Sequence, residues 1–182
     1  MSAVLGLDLG TATGWAMRRD DRANLSGVLD CAPIADNQPG SRFRLLKEHL
    51  SWCLEAADGA LALVAYEKVT FIARNHGARA VQMWGGFEAV LLMWCEHRDI
   101  ACLGVPVQTI KKHVTGRGNG TKTDILENLR RCGFDPTDHN EADAIGVMAY
   151  ACAQLHRHHP DQYPPPPAVR PDLFNQPQPM ET

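Results

Sequence analysis

The sequence predicts an α/β protein: a mixed five-stranded sheet flanked by helices. Three observations carry this. Three short apolar segments open the chain with tight connections between them, as in an antiparallel meander. A continuous apolar run, Ala60–Tyr66, follows and reads as a central strand covered on both faces. Beyond it, amphipathic helical stretches alternate with one more short strand, the pattern of a sheet with helices packed on it.

In order, the first strand is Ala3–Asp8 and the second Gly14–Met17, reached through the turn Gly10–Thr13. The third is Leu25–Asp30, after the polar stretch Arg18–Asn24. Ser41 is placed to cap a helix whose apolar stripe is Phe43, Leu46, Leu50, Cys53 and Ala57, at three- and four-residue steps. The inner strand Ala60–Tyr66 ends at Glu67. A long helix runs from about Asn75 to His97, interrupted by Gly85-Gly86, which serve either a close helix–helix approach or a kink. Ile100–Val105 is the fifth strand, followed by helical turns at Thr109–Val114 and Thr123–Cys132. The last helix opens at Asp138 with the capping-box form Asp138-His139-Asn140-Glu141 and buries Ile145, Met148, Cys152 and Leu155. One domain is expected over residues 1–157, and a proline-rich, disordered tail over 158–182.

At 182 residues, 45% apolar and 21% charged, the chain has the composition of a soluble globular domain. No apolar stretch is long enough to span a membrane, and no signal peptide is expected, so the reading is cytoplasmic. The six cysteines form no C-x-x-C pair and read as reduced core thiols. A net charge of −3 argues against a generally basic nucleic-acid-binding surface. Charge is uneven, however: Lys111, Lys112, Arg117, Lys122, Arg130 and Arg131 face only Asp124 and Glu127 between Gln108 and Cys132. Such a strip suits phosphates.

The most informative residue is Asp8, delivered by an apolar strand into the Gly/Thr turn Leu9-Gly10-Thr11-Ala12-Thr13-Gly14. A carboxylate placed there is costly unless it serves chemistry. Taken alone, the turn fits two chemistries: a carboxylate holding divalent metal over a nucleic-acid phosphate, or an actin-like phosphate turn holding ATP. Two further acids stand at comparable places, Glu67 at the end of the inner strand and Asp143 in the first turns of the last helix. If they converge, their repulsion calls for a divalent cation, and oxygen ligands without thiolates select Mg²⁺ or Mn²⁺. Two ions about 3.5–4 Å apart can activate water and stabilise the leaving oxygen of a phosphodiester. The loop Thr115–Thr121 imitates a nucleotide-binding P-loop, but Thr121 separates Gly120 from Lys122, and the loop follows a helix, so that match fails.

Three segments together resemble RuvC-type Holliday junction resolvases of the ribonuclease H-like superfamily, phage-type members included. They are Gly6-Leu7-Asp8-Leu9-Gly10-Thr11-Ala12-Thr13-Gly14, Tyr66-Glu67-Lys68-Val69 and Glu141-Ala142-Asp143-Ala144-Ile145-Gly146-Val147. The resemblance covers about Ala3 to Leu155. It implies a ribonuclease H-like three-layer fold and metal-dependent hydrolysis of branched DNA, leaving 5′-phosphate and 3′-hydroxyl ends. It implies metal ligands at Asp8, Glu67 and Asp143. A fourth ligand, usually Asp or His, falls on Asn140, whose amide oxygen brings no charge; Asp138, His139 and Glu141 are the neighbours placed to compensate. Two family lysines at this spacing carry over onto Lys111 and Lys122, with Lys122 stabilising transition-state charge. Lys112 and Arg117 join them as DNA contacts. Phe71 fits either a base-stacking role at the branch point or core packing, and Arg74 and His76 are placed to touch phosphates. The two-fold symmetry of a four-way junction implies a homodimer, with the long helix and its Met83, Trp84 and Trp94 as the candidate interface. A junction-binding module without cleavage is the remaining alternative.

Overall fold

A computed structural model of the chain describes residues 2–19, 24–69 and 78–169. Over these residues the elements are β1 (Ala3–Asp8), β2 (Ala12–Arg18), β3 (Leu25–Asp30), α1 (Ser41–Ala56), β4 (Leu61–Lys68), α2 (Ala78–Glu96), β5 (Ala101–Pro106), α3 (Val107–Thr115), α4 (Lys122–Arg131) and α5 (His139–His158). The sheet order is β3-β2-β1-β4-β5. The first three strands are antiparallel, and β4 runs parallel to both β1 and β5. The mixed five-stranded sheet is therefore the one expected, with β2 and β4 longer at their ends than the hydrophobic runs indicated.

Alternation along the strands sorts the core into two layers. Leu5, Leu7, Val64 and Tyr66 point to one face and pack with Leu46, Leu50, Phe87, Leu91 and Trp94 of α1 and α2. Val4, Leu63 and Ala65 point to the other and pack with Ile110, Val114, Ile125, Leu129, Ile145 and Met148 of α3, α4 and α5. Gly6 faces the same side as Val4. A Cβ there would run into the Met148 backbone nitrogen and stand 2.6 Å from the Ala144 carbonyl oxygen. A Cβ on Gly14 would collide with the Asn140 carbonyl group. The backbone of α5 thus lies directly on β1 and β2, and two glycines make that approach possible.

Gly86 answers the same need between α1 and α2: a Cβ would meet the Phe43 ring at 2.6 Å. The helix runs unbroken through Gly85-Gly86, so close approach rather than a kink accounts for Gly86. The expected start at Asn75 lies outside the described residues.

Several local expectations are corrected. Ser41 is the first residue of α1 and not its cap; Gly40 holds the cap position, without a side-chain bond. The Ser41 hydroxyl instead donates to Gln38 O at 2.7 Å and accepts from Ile34 N at 2.9 Å, tying down the preceding loop. Asp138 does cap α5, accepting from Glu141 N at 2.9 Å. Glu141 does not complete the box. It is 4% exposed and accepts from Ser26 Oγ at 2.6 Å and from Thr137 N and Oγ1 at 2.8 and 2.6 Å, which anchors the start of α5 to β3. The complete capping box belongs to α4, between Thr121 and Asp124. The first part of the segment expected to be a disordered tail packs back on the core: His156 Nδ1 donates to Tyr163 O at 2.8 Å, and Val169 is fully buried. Among the described residues none of the six cysteines is in a disulfide and no helix is long and apolar enough to cross a membrane.

Gly6→Ala and Gly14→Ala should each lower the unfolding free energy by about 1–3 kcal/mol or more, because backbone must move to admit the methyl group. Gly10, where a Cβ would find its nearest neighbour at 3.7 Å, is the control and should tolerate alanine within about 1 kcal/mol. Urea unfolding of the three variants measures this; equal losses at all three would remove close approach as the cause.

Candidate active site

The register determines which acids can meet. Leu7 pairs with Tyr66 across the parallel β1–β4 ladder, so Asp8 and Glu67 come next on adjacent strands, at the same end of the sheet. Both lie on the face that α5 covers, by the alternation that turns Leu7 and Tyr66 the other way. On α5, Asn140 and Asp143 are three residues apart and share a helix face above that end.

The Asp8 turn is held from within. Thr13 Oγ1 is buried, donates to Gly10 O at 2.7 Å and accepts from Gly10 N at 3.2 Å, while Cys31 N donates to Thr11 O at 2.6 Å. The result is an open cleft of about 390 Å³ walled by Asp8, the Leu9–Ala12 turn, Glu67, Trp84, Val107, Lys111, Lys122, Asn140 and Asp143. Lys122 Nζ stands 3.7 Å from Asp143 Oδ2, with the Asp143 side chain 13% exposed and Lys122 60%.

Electrostatics mark the cleft as strained. Burial, then repulsion from Glu67 and Asp143, pushes the Asp8 carboxyl up to about 8, against the opposing pull of Lys122. Burial and the Asp143 charge push Glu67 up to about 7. Asp143 is raised by burial, with Lys122, His139 and Lys111 drawing it back. The three titrate as a set, since each charge raises the cost of the next.

The donors fit a hard divalent cation: carboxylate and amide oxygens without thiolate or imidazole, crowded enough to repel one another. Among the described residues no three His, Cys, Asp or Glu side chains close into a metal cage. The convergence is therefore of walls around a shared cleft, with Lys122 holding Asp143.

In comparison with solved structures, 86% of the chain matches Thermus thermophilus RuvC, covering 96% of that protein with a TM-score of 0.64 and 18% identity. The chain has the RuvC fold. The same T. thermophilus protein in complex with Holliday junction substrate matches 81% of the chain and 91% of its own length, at a TM-score of 0.67 and 18% identity. The yeast mitochondrial Holliday junction resolvase Ydc2 matches with a TM-score of 0.56 and 14% identity, over 81% of this chain and 76% of that one. No protein-family model and no curated protein matches the sequence.

Within this RuvC-like fold the sequence-derived residues separate. Asp8, Glu67, Asn140, Asp143, Lys111 and Lys122 share the cleft. Lys112 is exposed and does not line it. Arg117 turns to Asp124, with Nη2 donating to Oδ2 at 2.9 Å. Phe71, Arg74 and His76 lie outside the described residues. Of the proposed compensating neighbours, Glu141 is committed to Ser26 and Thr137, whereas Asp138 adds its charge to the field at Asp8 and His139 to that at Asp143. Trp84 is a cleft residue that sequence reasoning assigned elsewhere; its place beside acidic residues follows from the packing of α2 and has no signal in its own neighbours. Trp94, expected at an interface, is 1% exposed in the core and donates from Nε1 to Ser51 Oγ at 3.2 Å.

Raised carboxyls imply a definite pH dependence. Asp8 and Glu67 titrate higher folded than unfolded, so their contribution to stability is complete below pH about 3.8 and lost as pH rises through about 7–8. In chelator, Asp8→Asn should therefore melt higher than wild type at pH 8, by at least about 3 °C, and the gap should close towards pH 4. Calorimetry across that range tests it; a variant less stable than wild type at pH 8 would contradict the strain.

Proposed function

We propose that this protein is a metal-dependent, structure-selective DNA endonuclease that cleaves Holliday junctions and related branched DNA. The observation that carries this is the delivery of Asp8, Glu67 and Asp143, from two strands and a helix, into one cleft with Lys111 and Lys122. The shared fold with RuvC, one of whose structures is in complex with Holliday junction substrate, supports the choice of substrate.

Asp8, Glu67 and Asp143, with the Asn140 amide oxygen, would hold Mg²⁺ or Mn²⁺, two ions per site. When bound, the ions supply Lewis-acid polarisation and an activated water. In the hydrolysis a water oxygen bonds to phosphorus, the bond to the 3′-oxygen breaks, and that oxygen takes up a proton, leaving 5′-phosphate and 3′-hydroxyl ends. The chain's own part is placement and charge. The carboxylates would hold the ions at the end of β1, and Lys122 places its ammonium where negative charge grows on the phosphoryl oxygens. Lys111 neutralises the phosphate from the second wall. Trp84 offers a stacking face to a base at the cleft. By the sequence reading, Phe71 would stack on a base at the branch point, and Arg74 and His76, with Lys112 and Arg117, would touch backbone phosphates.

A two-fold substrate calls for two such sites, hence a C2 dimer. Among the described residues of α2 the large exposed apolar side chains are Leu92 and Met93, at 43% and 46%, and these take the place of Met83, Trp84 and Trp94 as the interface anchors. Cysteines without disulfides suit a reducing, cytoplasmic setting.

On a labelled four-way junction with Mg²⁺ or Mn²⁺, Asp8→Asn and Asp143→Asn should bind yet cut at least about 100-fold more slowly, and Lys122→Ala should lose about the same. A wild-type protein that binds and never cuts would deny the carboxylates a catalytic role. Gel filtration should give the mass of two chains at micromolar concentration, and Leu92→Glu with Met93→Glu should give one. A single-chain mass for wild type would remove the dimer.

A further inference from the structure

A second groove adjoins the carboxylate cleft. It encloses about 630 Å³ between the first turns of α1 and α2 and is lined by Arg42, Phe43, Arg79, Gln82 and Met83, with Thr11 at one end. Thr11 lines the cleft as well, so this residue of the Gly10–Thr13 turn is a wall common to both. Charge distinguishes them. The cleft is crowded with carboxylates, whereas the groove has two arginines and, among its described lining residues, no acid.

Arg42 is set in place. Its Nε donates to Pro39 O at 3.1 Å and its Nη1 reaches Met83 Sδ at 2.8 Å, which bridges α1 to α2. A guanidinium has five N–H donors in a rigid plane, so those left over are oriented in advance for an anion, and the fork matches phosphate. Arg79 stands exposed on the first turn of α2. The position of the groove is equally telling. Lys111 and Lys122 belong to α3 and α4, on one face of the sheet, and Arg42 and Arg79 to α1 and α2, on the other. Cationic groups therefore flank the Asp8 turn from both sides of the same sheet end.

We propose that this groove, built on Arg42 and Arg79, carries the phosphate backbone of the DNA strand as it leaves the cleft. The strand crosses the end of the sheet over the Gly10–Thr13 turn. The proposal rests on the nuclease reading above and adds to it a second backbone site on the opposite face.

Junction binding is measured at a series of salt concentrations with Ca²⁺ in place of Mg²⁺, and cleavage separately with Mg²⁺, for wild type, Arg79→Gln and Arg42→Gln/Arg79→Gln. Each arginine removed should weaken binding about tenfold near 0.1 M salt and make the slope of log K against log salt shallower by about 1. Arg79→Gln is the safeguard, because its exposed side chain has no part in the Arg42 bridge; melting temperatures check the double variant. Unchanged affinity and slope in both variants, with wild type cutting junctions, overturns the groove and leaves the nuclease reading intact. Shallower slopes with a wild type that never cuts uphold the groove and overturn the nuclease reading. A wild type that does not bind the junction overturns both.

Discussion

The architecture depends on the backbone of α5 lying in contact with β1 and β2. Gly6 and Gly14 permit it, since a methyl group at either position would run into the backbone of α5 itself. Helices that pack on sheets normally stand off by the depth of two layers of side chains, about 10 Å. With one layer removed, Asp143 of α5 and Asp8 of β1 line the same cleft. The buried Glu141, accepting from β3 at Ser26 and from Thr137, fixes the same helix end from the side. The position of α5 is thus set by contacts from Asn140 to Met148, the half of the helix that carries Asn140 and Asp143.

That placement concentrates charge where solvent is scarce. Asp8 and Glu67 are held far above the usual carboxylate range, first by burial and then by their neighbours. A fold optimised for stability alone would place neutral groups there. The strain is offset by the two apolar layers and by a turn whose polar groups are satisfied internally through Thr13. Lys122, mostly exposed and within reach of Asp143, supplies partial neutralisation from a flexible stem and is free to follow charge elsewhere.

The two faces of the sheet bring different cations to the same end. On one, α3 and α4 bring lysines, point charges on long stems. On the other, α1 and α2 bring arginines, one of them already fixed by two bonds. The fixed cation accompanies a groove that adjoins the carboxylates only through a turn, and the mobile cations stand within the cleft itself.

Much was legible in the chain because it depends on local chemistry. The apolar runs before Asp8 and Glu67 define strands that end on those carboxylates. The stripe on α1 and the cap at Asp138 follow from equally short-range rules. What the sequence could not decide is the fate of side chains with two adequate partners. Glu141 had the spacing of a capping box, and only β3, more than a hundred residues away, offered the better hydrogen bonds. Ser41 had the chemistry of a cap, and the preceding loop claimed its hydroxyl. Trp84 and Trp94 lie on one helix, yet the packing of α2 sends one to the cleft and buries the other. Arg42 and Arg79 carry no motif, being distant in sequence and joined only when α1 meets α2. By itself the sequence determined the strands and the acids that stand at their ends. The tertiary structure decided how near the helix comes and which polar partner wins, because both depend on backbone contacts between segments that share no local signal.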